Sequence, residues 1–249
     1  MPEKRKFDFA AGEVLLIDKP LKWTSFDAVN RIRGMIKRHL GLKLKVGHAG
    51  TLDPLATGLL VICTGKFTKR IDEFQAQEKE YTGTFLVGAT TPCCDLEKPI
   101  DAYFPVDHIT GEMIYAAAKK FTGNIEQVPP LFSAIKVEGK RAYELARKGS
   151  DSVIPPRQVE IREFEITRIE RHWVPGSART GMHPPSIEVD FRVSCSKGTY
   201  IRSLARDFGV ELKSGAHLIA LRRTRIGDFR IEDAMTPEAL TAMVTEKEA

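Results

Sequence analysis

The residue with the clearest chemical potential is Asp53, a lone carboxylate inside Lys45-Val46-Gly47-His48-Ala49-Gly50-Thr51-Leu52-Asp53-Pro54-Leu55-Ala56-Thr57-Gly58-Leu59-Leu60-Val61-Ile62. Glycines flank it and Pro54 follows it. Glycine lets a second backbone come close, and proline stiffens the exit from the loop. The run from Leu59 to Cys63 is apolar on both faces and reads as a buried strand. A carboxylate on a shaped loop anchored to the core can act as a nucleophile or as a base. It can equally be a turn former that bonds its own backbone. The loop alone leaves both readings open. Phosphate-loop chemistry is excluded, because Phe67 follows Gly65-Lys66 where a hydroxyl is required. No Gly-x-Gly-x-x-Gly fingerprint opens a helix here either.

The elements around this loop can be read from periodicity. Residues 13 to 19 read as a strand stopped by Pro20. Thr24 and Asp27 have the spacing of a capping box, and Phe26, Val29, Ile32 and Ile36 follow as the expected buried stripe of a helix. Gly65 to Arg70 reads as a basic turn, and 80 to 87 alternates as a strand with Tyr81 at its start. Residues 91 to 107 read as loop, and 112 to 122 as a helix with Ile114, Ala117, Ala118 and Phe121 inward. Val128 to Arg141 reads as a projecting basic loop with an exposed Phe132, followed by a short helix over 142 to 148. A strand is expected within 153 to 171, an irregular loop over 174 to 186 and a half-buried strand over 187 to 194. Ile201, Leu204, Ala205 and Phe208 mark a helix ending at Gly209. Arg202 sits in its first turn, beside the buried stripe. A cation there opposes the helix dipole and hints at a carboxylate partner, although a surface arginine is the commoner outcome. Residues 215 to 225 read as another strand, and 232 to 249 as a terminal helix with a frayed tail.

Composition narrows the function classes. The 249 residues allow one large domain or two small ones. The apolar fraction is 42% and the charged fraction 29%, which is ordinary for a globular chain. Lysine and arginine total 38 against 33 acids, a net charge of +5 that favours a polyanionic partner without establishing one. Arg31, Lys37, Lys43, Lys45, Lys136, Lys140, Arg222 and Arg223 are candidate phosphate contacts, although most charged residues are merely solvated. No apolar run has the length of a membrane span, and Met1 to Lys6 lacks a signal-peptide core, so a cytoplasmic location and no membrane partner are expected. Cys63, Cys93, Cys94 and Cys195 form no Cys-x-x-Cys pair, and the six histidines form no His-x-x-x-His pattern, so no metal site is expected.

Several separated motifs share one resemblance. Gly47 to Gly58 is similar to the catalytic motif of the TruB family of tRNA pseudouridine synthases. Leu16-Ile17-Asp18-Lys19-Pro20 with Thr24-Ser25-Phe26 resembles that family's N-terminal signature. Lys79-Glu80-Tyr81, Pro130 to Lys136, and Cys195 to Arg202 resemble its later motifs, in order. The resemblance spans residues 12 to 236. It implies an α+β fold, with a central mostly antiparallel sheet, flanking helices and an active-site cleft. It implies isomerisation of the T-loop uridine of tRNA (uridine-55) to pseudouridine, without cofactor or metal. By this resemblance Asp53 is the catalytic carboxylate, Tyr81 stacks on the everted base and Arg202 pairs with Asp53. Leu221, the Gly215-Ala216-His217 stretch and Lys19 belong near the base pocket, and His48 takes the space the base leaves in the RNA. Phe132, Lys136, Lys140, Arg222 and Arg223 fall on the RNA-binding side.

The organisation expected from this resemblance is a catalytic domain over 1 to 236, with an RNA-contacting loop and helix over 130 to 150 and a tail over 237 to 249. No PUA-type domain is expected, and the partner is the T stem-loop of tRNA bound by a monomer. Two departures matter. The chain ends about where a PUA-type domain begins in many bacterial members, and Thr91-Pro92-Cys93-Cys94-Asp95-Leu96 differs from the family's usual Asp-rich sequence near the site. The rival reading is a non-catalytic RNA-binding or tRNA-chaperone protein using the same surface. A guide-dependent relative is a more distant third.

Overall fold

The computed structural model describes residues 7–130, 132, 136–137, 140–141, 154–172 and 185–245. The strands are β1 (Val14–Lys19), β2 (Val46–Ala49), β3 (Ala56–Thr64), β4 (Lys79–Val87), β5 (Ala89–Thr90), β6 (Ala102–Tyr103), β7 (Gly123–Gln127), β8 (Lys136–Val137), β9 (Lys140–Arg141), β10 (Arg157–His172), β11 (Ser186–Cys195), β12 (Ala216–Ile226) and β13 (Phe229–Arg230). The helices are α1 (Ser25–Leu40), α2 (Ile71–Ala76), α3 (Gly111–Lys120), α4 (Ile201–Glu211) and α5 (Pro237–Thr245). Gly65–Arg70, expected as a turn, is a 3-10 helix. The class is α+β with a mostly antiparallel sheet, as expected. The expected helix over 142 to 148 and most of the 174 to 186 loop lie outside the described residues.

Contacts divide the chain into two units: Met1–Tyr81 with Arg222–Ala249, and Thr82–Leu221. Strands β4 and β12 run through both, so each unit contains part of each.

In the first unit the strand order is β1-β3-β12-β4, with β2 on β3 and β13 on β12. Leu60 and Ile62 of β3 pack with Ala28, Val29, Ile32, Met35 and Ile36 of α1 and with Leu240 and Val244 of α5. Leu59, Val61 and Cys63 pack with Phe74 of α2 and Ile226. Both faces of β3 are covered, which is why its sequence is continuously apolar rather than alternating. Residues 237 to 245 are therefore a helix seated in this core, not a tail. The buried stripe of α1 is Ser25, Ala28, Val29, Ile32, Met35 and Ile36. Phe26, expected on that stripe, is 58% exposed and lies under the Arg33 guanidinium. Its place is taken by Ser25, whose polar side chain has a buried partner.

The capping box forms as the spacing predicts. Thr24 Oγ1 accepts from the Asp27 amide at 3.0 Å, and the Asp27 carboxylate accepts from the Thr24 amide at 2.8 Å. At C-cap Gly41 a φ of 66° ends the helix in the left-handed conformation that glycine adopts without strain.

In the second unit the order is β12-β4-β11-β10-β7. Phe85, Phe164, Phe191 and Phe208 form its aromatic centre, the closest rings (Phe85 and Phe191) being 4.2 Å apart. Helix α4 runs two residues past Gly209. A Cβ at Gly209 would lie 2.3 Å from the Ala216 amide nitrogen. This glycine lets β12 pass close behind the helix; it does not end it.

Ser25 joins α1 to the Asp53 loop. Its Oγ accepts from the Leu52 amide at 2.8 Å and donates to the Leu52 carbonyl at 3.2 Å. Ser25→Ala leaves two buried backbone groups without their partner and is expected to lower unfolding stability by about 1–3 kcal/mol. Urea unfolding checks this, and an unchanged midpoint would show that water replaces the hydroxyl without loss.

Candidate active site

The Asp53 loop is built from backbone carbonyls and amides held by named partners. Leu52 is held on both its amide and carbonyl by Ser25. The Asp53 carbonyl accepts from the Ala56 amide at 3.0 Å, closing a turn, and the Pro54 carbonyl accepts from the Lys22 amide at 2.8 Å. On the exit side, Gly58 takes a φ of 100°, and a Cβ there would lie 2.3 Å from the Arg223 carbonyl oxygen. Glycine is required at this position by conformation and by space. Asp53 itself is half-buried.

Three cationic or potentially cationic groups of the same unit surround this loop. Lys19, fully buried at the end of β1, donates to the carbonyls of Pro20 at 3.0 Å and Trp23 at 2.6 Å. Burial pushes its ammonium down from 10.5 to about 8; the nearby Asp53 carboxylate pulls it back up, and Arg223 pushes it down again. Lys19 and Asp53 thus lie within electrostatic reach of each other. His48 stands on β2, half-buried, opposite Ile62 of β3. Burial and the Arg223 guanidinium hold its imidazole below the ordinary value, against a smaller opposing effect of the Gly50 backbone. Burial and the guanidinium both favour the neutral imidazole.

Arg223 differs from its expected place on a phosphate-binding surface. It is 1% exposed, with Nε donating to the Leu59 carbonyl at 2.7 Å and Nη2 to the Gly50 carbonyl at 3.1 Å. Adjacent strand residues point to opposite faces, and it is Arg222 that lies toward solvent. Arg222 forks onto the Asp18 carboxylate at 2.7 and 3.0 Å, and its side chain is 41% exposed. Tyr81, near the start of β4, is 9% exposed.

The second unit holds Arg202 and its setting. Arg202 is 5% exposed, not on the surface. Its Nε lies 3.5 Å from the Asp95 carboxylate, and Nη1 and Nη2 donate to the carbonyls of Cys93 at 3.3 Å and Phe132 at 3.0 Å. The unfavourable place of a cation in the first turn of α4 thus has a carboxylate beside it. Asp95 lies in the stretch that departs from the family sequence; nothing but that departure marked it out beforehand. Gln127, fully buried at the end of β7, holds both sides of Tyr200, accepting from its amide at 2.8 Å and donating to its carbonyl at 3.1 Å. This pins the start of the helix that carries Arg202, a role no sequence signal announced.

Phe132 is half-buried rather than projecting. Lys136 and Lys140 lie on the paired strands β8 and β9, with Lys136 opposite Arg141 and Val137 opposite Lys140; their side chains lie outside the described residues. Leu221 is half-buried on β12, and His217 is fully buried with Nδ1 2.9 Å from the Ala89 carbonyl. Among the described residues one exposed group has the spacing of cation ligands, Glu170, His172 and Glu188. Both acids are engaged by Arg168, and His172 lies 3.1 Å from Glu188.

A pH test follows from Lys19. Between about pH 8 and pH 10.5 the folded protein has released this proton while the unfolded chain still holds it. The contribution of this group to stability therefore rises with pH across that window. Lys19→Met is expected to remove that slope. Urea unfolding of both proteins at stepped pH reads it, and identical slopes would count against the assignment.

A family model described as "TruB family pseudouridylate synthase (N terminal domain)" matches residues 37–201, and one described as "tRNA pseudouridylate synthase B C-terminal domain" matches residues 202–249. A relative in Flavobacterium johnsoniae named tRNA pseudouridine synthase B is 56% identical over 92% of this chain and 94% of its own length. One of the same name in Phocaeicola vulgatus is 54% identical over 97% of each. A solved chain from a Cbf5-Nop10-Gar1 complex matches with a TM-score of 0.67 at 29% identity, over 94% of this chain and 54% of that one. This chain therefore spans about half the length of that solved neighbour. No helix among the described residues is long and apolar enough to cross a membrane. With the motif loop, the sheet that carries it and both family models in agreement, the chain belongs to the TruB family of pseudouridylate synthases.

Proposed function

We propose that this chain converts the T-loop uridine of tRNA to pseudouridine, with Asp53 as the carboxylate that acts at the reacting nucleoside. The observation that carries the reading is the setting of Asp53. Its loop is braced through the backbone on both sides, with the buried ammonium of Lys19 among its near neighbours. A turn-forming aspartate needs no such setting. The names of the relatives support tRNA as the substrate.

The chemistry breaks the N1 to C1′ bond, rotates the freed base and rejoins it through C5. No atom is gained or lost, so a cofactor is not required. Water must be kept from the separated fragments. Everting the base costs a few kcal/mol, and stacking on an aromatic ring returns about 1–3 kcal/mol, the role given to Tyr81. A neutral His48 can fill the gap left in the RNA without burying a charge. Arg202 is assigned to the Asp53 carboxylate by family resemblance. Phe132, Lys136, Lys140 and Arg222 are assigned to the RNA side. The reading places the reaction in the cytoplasm, carried out by a monomer.

Asp53→Asn is expected to abolish isomerisation while tRNA binding stays within about threefold of wild type, because the change removes one charge and almost no volume. Carbodiimide labelling of pseudouridine with mass spectrometry reads the product. Appreciable turnover by the variant would refute the catalytic role, and wild-type protein that binds tRNA without turnover would favour the chaperone reading. Affinity for tRNA is expected to fall steeply with salt, as phosphate contacts require. A flat salt response in filter binding would remove phosphate contact from the model.

A further inference from the structure

Arg223 has no part in the reaction as described above, yet it is among the largest fully buried side chains described and carries a charge that cannot be neutralised at working pH. Burying a guanidinium is costly unless its donors are used. Here two are used on carbonyls of a single segment. Nη2 takes Gly50, three residues before Asp53, and Nε takes Leu59, six residues after it. The same residue's backbone closes on Gly58, where no Cβ fits. Arg223 itself stands on β12, next to β3 in the sheet. The guanidinium therefore spans the entrance and exit of the Asp53 loop and refers both to one rigid strand.

We infer that Arg223 is a positioning residue for the isomerisation: it latches Gly50 to Leu59 and so sets the place of the Asp53 carboxylate relative to the sheet. This rests on the reading of Asp53 as the catalytic carboxylate. The latch needs the geometry of the side chain as well as its charge. A guanidinium offers donors in a fixed fork, whereas an ammonium is a point charge on a flexible stem. Lysine at this position keeps the cation beside Lys19 and His48 but cannot hold both carbonyls in the same way. A displacement of about 1 Å at a reacting group can cost on the order of 100-fold in rate. The guanidinium touches no substrate in this scheme, so its loss falls on the chemical step rather than on tRNA affinity.

The test compares Arg223→Lys with wild type and with Asp53→Asn, using unmodified tRNA and normalising rates to the folded fraction. Arg223→Lys is expected to lower kcat by roughly 100-fold while KM stays within about twofold. A residue with only a structural role would lower the folded fraction and leave normalised kcat unchanged. That result, or a loss confined to KM, would overturn the proposal. If Arg223→Lys does not fold, Gly50→Ala moves the same carbonyl from the loop side, because Gly50 has a φ of 91° that alanine rarely adopts. The same kcat loss is then expected, and a wild-type kcat in that variant would overturn the latch. An inactive Asp53→Asn beside a fully active Arg223→Lys would sink the latch alone. An active Asp53→Asn would sink the reading beneath it.

Discussion

A loop can present a carboxylate at a defined height only if its own peptide groups are satisfied there. Buried amides and carbonyls without partners cost about as much as the interactions a site of this kind can gain. The segment from Gly50 to Leu59 meets this condition with partners from outside the loop. Ser25 covers both groups of Leu52, the Lys22 amide covers Pro54, and Arg223 covers Gly50 and Leu59. Each of these stands in or next to a regular element, so the loop is as well placed as α1, β1 and β12 are. The glycines at 50 and 58 are part of the same constraint, since both hold positive φ and one admits the Arg223 backbone.

The electrostatics follow the same pattern. Lys19 and Arg223 are both fully buried and both spend donors on main-chain carbonyls. Peptide dipoles thus carry much of the solvation that water would supply. Arg222 shows the contrasting solution, a forked pair with Asp18 at the edge of solvent. In the second unit Arg202 combines the two, with the Asp95 carboxylate beside it and two carbonyls on its Nη groups. A cation in the first turn of α4 is tolerated because these oxygen atoms face it.

Much of this was legible in the sequence where a local rule decides. The Thr24 capping box, the doubly buried β3 and the alternation of β11 all formed where periodicity and capping placed them. The Asp53 motif marked the loop through its glycines and proline. What could not be read is what depends on facing partners. Arg222, Arg223 and Arg225 on β12 read as a basic edge, and only the strand's neighbours decide that Arg223 turns inward to carbonyls 164 and 173 residues away. Any hydrophobic count puts Phe26 on the buried stripe of α1, because a phenyl outweighs a hydroxyl, whereas Ser25 is buried by its bonds to Leu52. Gly209 suggested a helix end by residue type, and the close passage of Ala216 supplies a different reason for it. Asp95 is marked only by the departure of its stretch from the family sequence, and Gln127 by nothing, since a single acid or amide in a loop or a short strand has no period.

The neighbouring arginines of β12 also bear on how the chain finds its pairing. A slip of that strand by one residue would exchange their faces. The fork now on Asp18 would enter the interior, and the group now on Gly50 and Leu59 would swing outward. Leaving one such charge buried and unmatched costs about 3–5 kcal/mol, a large fraction of a domain's net stability of roughly 5–15 kcal/mol. The doublet thus ties β12 to one register, since a slipped pairing would bury a charge where apolar side chains of similar size would tolerate the error.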